Sequence, residues 1–145
     1  MKKILPKQIG ELLIDCHLIT SDQLEKGLAI QREKGGLLGQ ILVSLHFTTE
    51  EAIAQALTAQ YGFPYLPLDG YEIDPEVAKI IPHHVALQYG LIAVDRVGSI
   101  LTVAMSNPLN TQAVEDVEML THFKVQVFVT TATDVADAIK NNYKS

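Results

Sequence analysis

The sequence predicts an α+β fold: an N-terminal bundle of four short helices built from a repeat, followed by a small α/β sandwich with an antiparallel sheet. Three observations predict it. The first sixty residues repeat themselves at an offset of 29. A segment broken by Gly62, Pro64 and Pro67 then ends the helical texture. Beyond it, helical spacing and period-two alternation follow in the order α–β–β–α–β–α. The boundary falls at the end of the repeat, giving a duplicated helical-pair unit over 1–60 and an α+β unit over 61–145.

The repeat is visible residue by residue. Ile9-Gly10 matches Leu38-Gly39, Leu13-Ile14 matches Leu42-Val43, His17 matches His46, and Thr20 matches Thr49. Leu24, Leu28 and Gln31 match Ile53, Leu57 and Gln60. The His and Gln pairs are polar, so the likeness exceeds a shared helical period. Ile9, Leu12, Leu13 and Cys16 fall on one face of a first helix, and Leu38, Ile41, Leu42 and Leu45 repeat that spacing. Thr20 with Gln23, and Thr48 with Glu51, read as capping boxes that open the second helix of each unit. Arg32-Glu33-Lys34-Gly35-Gly36 is the charged, glycine-broken turn between units.

In the second half, Tyr61 to Leu68 reads as a linker ending in an extended piece. Asp74-Pro75 opens a short helix, with Asp74 as N-cap. Pro82 interrupts it, and a second short piece runs to Gly90. Leu91–Val94 and Ile100–Met105 are β-rich runs joined by residues 95–99, a hairpin length. Asn107-Pro108 starts a helix carrying Val114, Val117 and Leu120. Val125, Val127 and Val129 alternate with Lys124, Gln126 and Phe128 as a half-buried strand. A last helix starts near Thr133 with Val135 and Ile139 inward.

Composition narrows the function. Apolar residues make up 48 % of the 145, enough for a core, and the formal net charge is -6. An acidic chain with only Arg32 and Arg96 as arginines is a poor match for a DNA or RNA backbone. The single Cys16 excludes an internal disulfide and a cysteine-based zinc site, and its apolar neighbours predict a buried thiol. No apolar run approaches the ~20 residues that span a bilayer, so membrane association is expected through a partner. The start Met1-Lys2-Lys3 is basic, without the apolar run of a signal peptide, and a cytoplasmic location is expected.

Catalytic patterns are lacking in the sequence. There is no G-x-x-x-x-G-K-[ST], hence no phosphate-cradling loop with its lysine, and no ATP hydrolysis by that route is expected. His83 and His84 are adjacent, so on a helix they face apart and do not share a metal. His17 and His46 read as helix C-terminal residues standing where glycine is usual. Asp116 and Glu118 read as a solvated helix face, and Tyr61, Phe63 and Tyr65 as residues that pin the linker or, as the alternative, form a docking strip.

These residues resemble the N-terminal domain of the ATPases of type II secretion and type IV pilus assembly, the general secretory pathway protein E N-terminal, MshEN-like group. The repeat resembles the paired helical motif of that family. Gly62-Phe63-Pro64-Tyr65, Ile73-Asp74-Pro75-Glu76, Ile81-Pro82 and the run Leu101 to Leu109 resemble the α/β domain that follows it. So does the turn from Asp116 to Thr121, and the resemblance spans roughly residues 6 to 144. It implies a non-catalytic docking and regulatory module. Its implied partners are an inner-membrane platform protein, or that protein's cytoplasmic domain, and a C-terminal ATPase motor. One branch of the family binds cyclic di-GMP through the helical repeat. The positions implied here are Gln8, Gly10, Leu13, Gln31, Gly39, Leu42 and Gln60. The glycines would permit close approach, the leucines would pack on guanine, and the glutamines would hydrogen-bond. Where the family has Arg, however, this chain has Gln8 and Leu37, and His17 and His46 replace family glycines. Losing one charge-assisted phosphate contact, worth ~1.5–3 kcal/mol, lowers affinity about tenfold to a hundredfold. Lys7 is the nearest replacement cation, a point charge and not a planar fork. No resident cofactor is therefore expected, with docking the preferred role.

Overall fold

The computed structural model describes residues 8–143. The basic start and Lys7 lie outside the described residues, as does the side chain of Gln8.

The first repeat unit is α1 (Gln8–Asp15) and α2 (Ser21–Lys34), and the second is α3 (Leu38–Ser44) and α4 (Glu50–Tyr61). Both first helices end in the same way. His17 N–H donates to the Ile14 carbonyl and Leu18 N–H to that of Leu13. His46 donates to Val43 and Phe47 to Leu42. This is the paired 6→1 and 5→2 closure of a Schellman turn, which needs a left-handed residue. His17 and His46 supply it at φ 61° and 62°, so each histidine stands in glycine's conformation, as its sequence position suggested. Thr20 and Gln23 cap each other reciprocally at the start of α2. In the second unit the cap is Thr49, whose Oγ1 accepts from Ala52 N–H, and not Thr48. The capping-box template selected the wrong threonine because Ala52, three residues after the true cap, has no side chain to reciprocate. The offset of 29 from Thr20 indicates Thr49 directly.

The second half contains α5 (Pro75–Ala78), α6 (His83–Tyr89), β1 (Leu91–Val97), β2 (Ile100–Met105), α7 (Thr111–Thr121), β3 (Lys124–Val129) and α8 (Ala132–Asn142). Asp74 caps α5 by accepting from Glu76 N–H. The first strand runs on to Val97, and only Gly98 and Ser99 turn the hairpin, with Gly98 at φ 60°. The polar Asp95 and Arg96, read from sequence as loop, are strand residues on the exposed end of the hairpin. α7 starts later than Asn107-Pro108 suggests. Asn107 Oδ1 accepts from Leu109 N–H in a tight turn, and Asn110 is the cap.

The sheet order is β1-β2-β3. β1 and β2 pair antiparallel with an irregularity between Ala93 and Asp95, whereas β3 lies parallel to β2, from Ile100↔Lys124 to Met105↔Val129. The α+β class stands, but the sheet is mixed and not antiparallel. α7 carries the chain back to the end where β2 began, so β3 must run the same way as β2. The outer edge of β3 is blunted at both ends. Glu118 accepts from Val125 N–H, and residues 64–66 exchange hydrogen bonds with Val129.

Two cores result. One gathers the sheet with α5, α6, α7 and α8 around Leu91, Ile92, Leu101, Val103 and Met105. The other gathers the four repeat helices around Leu13, Leu42 and Leu57, yet it also takes in Leu109 and Val129 from the second half. The helical core thus closes on residues beyond position 61.

Candidate functional site

The motif residues do not converge on one open site. Leu13, Leu42 and Leu57 have no exposed surface. They are the centre of the helical core, and packing accounts for their spacing. Gly10 lies under α2, where an added Cβ would stand 2.6 Å from Leu24 Cδ1, so close helix approach requires it. Gly39 differs, since a Cβ there would meet only Ile53 Cδ1 at an ordinary 3.6 Å. Gln31 Nε2 donates to the Gly36 carbonyl at 3.1 Å, closing the turn between the two units. Gln60 is exposed and borders a polar recess with Glu11, Asp15, Cys16 and Tyr61. Cys16 is half-buried there, less enclosed than its neighbours suggest.

Gly39 lines a cleft where the second repeat unit meets the α+β unit. Its walls include Leu37 and Gln40, the strand-end residues Ser106 and Asn107, and Thr130. Its cavity volume is about 30 Å³, a space on the scale of ordered water. Leu37 helps to close it. An added Cβ on Gly90, the left-handed cap of α6, would stand 2.9 Å from Leu37 Cδ1. On the rim, Glu50 accepts from both Thr133 N–H (2.5 Å) and Thr133 Oγ1 (2.7 Å). A carboxylate at the first turn of α8 suits the positive end of that helix and ties α4 to α8. Sequence reasoning missed Leu37–Gly90 and Glu50–Thr133. Glu50 reads as an acidic first-turn residue of its own helix, and nothing local indicates a second helix start 83 residues on.

Elsewhere the polar residues support the frame. Tyr89 donates to Asp116, which also accepts from Gln112. The Tyr89 bond, then the Gln112 bond, hold the Asp116 carboxyl below its ordinary range. Tyr143 Oη reaches the carbonyls of Ala78 (2.6 Å) and Ile81 (2.7 Å), and burial pushes its phenol up to about 12. His83 stacks on the Tyr143 ring at 4.8 Å, while His84 is exposed. Among the described residues no cluster of three His, Cys, Asp or Glu is placed to hold a metal, and no helix is long and apolar enough to cross a membrane.

The family model described as the MshEN domain matches residues 61–145, the sheet half. Curated relatives extend over the repeat as well. Type IV pilus assembly ATPase PilB of Myxococcus xanthus is 32 % identical over 136 residues, covering 94 % of this chain and 24 % of PilB. PilB of Thermus thermophilus is 34 % identical over 139 residues, covering 94 % of this chain and 16 % of that protein. The chain therefore spans a quarter or less of the length of these relatives. A structure of MshE with cdg matches with TM-score 0.68 at 25 % identity, covering 93 % of this chain and 98 % of that one. The N-terminal domain of XpsE matches in fold with TM-score 0.77 at 18 % identity, over 99 % and 100 % of the two chains.

Proposed function

The chain belongs to the MshEN domain family, and from that premise we propose that it is a docking and regulatory module of a type II secretion or type IV pilus assembly ATPase. In this reading it recognises the inner-membrane assembly platform, or that platform's cytoplasmic domain, and breaks no bonds itself. The observation that carries the reading is the similarity to PilB across 94 % of the chain, in a sequence that has no phosphate-cradling loop. The fold supports it. The helical core takes in Leu109 and Val129 from the sheet half, so the two halves pack against each other. Binding of the purified domain to the cytoplasmic portions of the same organism's secretion and pilus platform proteins tests this by interferometry. Saturable binding to one of them is the expected result. Binding to none overturns it.

A second reading, a cyclic di-GMP receptor, draws on the match to MshE with cdg, taken as that nucleotide. The residues weigh against it. Leu13, Leu42 and Leu57 are sealed in the core, and Leu37 is seated against Gly90. An aliphatic side chain there gives no charge-assisted bond to a phosphate. Calorimetry with cyclic di-GMP should give no saturable heat, and micromolar binding by the unaltered domain would make this reading the better one.

A further inference from the structure

A groove of about 310 Å³ runs between α4 and the extended segment 64–66. One wall is Glu51, Ala54, Gln55, Thr58 and Ala59, which share a helix face at three- and four-residue spacing. The other is Tyr65. Its backbone is fixed by the pairing of Pro64 and Leu66 with Val129 of β3, yet its side chain leaves the residue 45 % exposed. A ring carried on a fixed backbone needs no ordering of the chain when a partner binds, which lowers the cost of binding. Ala54 is buried at the base, and Thr58 Oγ1 is buried without a hydrogen-bond partner.

The surroundings are acidic. Glu51 is exposed on the groove wall. The Tyr65 hydroxyl is held above its ordinary range first by burial, then by the charges of Asp134, Glu51 and Glu50, so all three carboxylates act on the groove. Along the chain from residue 35 to 78 no Lys or Arg stands to offset Glu50 and Glu51. An apolar slot with an exposed aromatic ring and carboxylates about it complements one kind of occupant.

We propose that this groove docks a basic amphipathic segment of a partner protein, with one apolar side chain set against Tyr65 and Lys or Arg residues paired with Glu51 and its neighbours. The inference rests on the docking reading above and adds the partner's chemistry. The apolar anchor supplies most of the affinity, because exposed charge pairs contribute little each. The charges set orientation and make association fall with salt.

The test uses two synthetic peptides of identical apolar spacing, one with Lys and Arg at its polar positions and one with Glu. Each is titrated into the domain and followed by amide NMR. The basic peptide should shift Ala54, Gln55, Thr58, Ala59 and Tyr65, and the acidic one should not. Tyr65→Ala should weaken binding about tenfold while Tyr65→Phe retains it. Glu51→Gln should weaken it about threefold, and Glu115→Gln, the same charge change outside the groove, should leave it unchanged. Shifts centred elsewhere overturn the proposal. So do equal effects of Glu51→Gln and Glu115→Gln, which would mean bulk attraction to an acidic protein. Shifts of the groove residues with protein concentration alone would replace the partner with a second copy of the chain. The two readings fail separately. A platform domain that binds Tyr65→Ala as tightly as the unaltered protein sinks the groove and leaves docking intact. A basic peptide seated in the groove while no platform domain binds does the reverse.

Discussion

The two repeat units have the same sequence frame and carry different loads. In both, a seven- or eight-residue helix ends on a left-handed histidine and a threonine caps the next helix. The glycines diverge. Gly10 is held under Leu24 at 2.6 Å, whereas Gly39 has room for a methyl group. Gly27 sits where a Cβ would meet Leu42 Cδ2 at 2.8 Å, while the position 29 residues on is a buried Ala56. The interface residues diverge too. Leu37 and Glu50 of the second unit reach Gly90 and Thr133, and at the equivalent positions the first unit has Gln8 and the exposed Ser21. A duplicated sequence conserves what local geometry requires at each copy. What each copy touches is set by its neighbours.

The sharpest way to break this comparison is to add a methyl group to each glycine and measure urea unfolding. Gly27→Ala drives a Cβ into Leu42, which is fully buried and has nowhere to move, so a loss of about 2–3 kcal/mol is expected. Gly10→Ala should lose about 1–2 kcal/mol, because the Leu24 tip can rotate away. Gly39→Ala should be neutral or gain about 0.5 kcal/mol from helix propensity. Equal losses at Gly10 and Gly39 would mean the units carry the same load after all.

The next effect tests the interface. Glu50→Ala removes both bonds to Thr133 and should cost about 1–2 kcal/mol. Ser21→Ala, its counterpart, should stay within about 0.5 kcal/mol. Alkaline pH then loosens the part that holds no repeat. The Tyr143 phenol is raised in the folded state to about 12 from an ordinary 10. Its contribution is fully present below pH 10 and is lost as pH rises toward 12, a loss of about 1 kcal/mol after solvent screening of a half-buried group. Urea midpoints across that window should fall for the unaltered protein and fall less for Tyr143→Phe. The smallest effect is a gain. His17→Gly and His46→Gly should each stabilise by about 0.5 kcal/mol, since glycine takes the left-handed region without steric cost but loses more freedom on folding. A gain at one histidine alone would show that the shared turns are not equivalent.

Much of the candidate site was legible at the level of which residues matter and illegible in what they do. The offset of 29 picked out Gly10, Gly39, Leu13 and Leu42, and the structure places all four within the repeat helices. Periodicity does not distinguish a leucine that faces a ligand from one that faces the core, and here Leu13 and Leu42 are core. Gln31 has an equal sequence claim to ligand binding and to turn closure, and its bond to Gly36 is the latter. The groove beside Tyr65 left in the sequence only an aromatic run readable as linker anchor or docking strip, because α4 and residue 65 form it only when β3 fixes residues 64–66.

The sequence by itself determined most of the elements, the duplicated helix pair, the histidine-ended first helices of each unit and the family resemblance. Each of these depends on side chains within a few residues of one another, and spacing reports such contacts directly. Tertiary structure alone decided the parallel course of β3, the unequal duties of Gly10 and Gly39, the seat of Leu37 against Gly90 and the grip of Glu50 on α8. Those partners are far apart along the chain. Which of many chemically equivalent partners meet is settled only when whole helices and strands pack, a choice that no local pattern encodes.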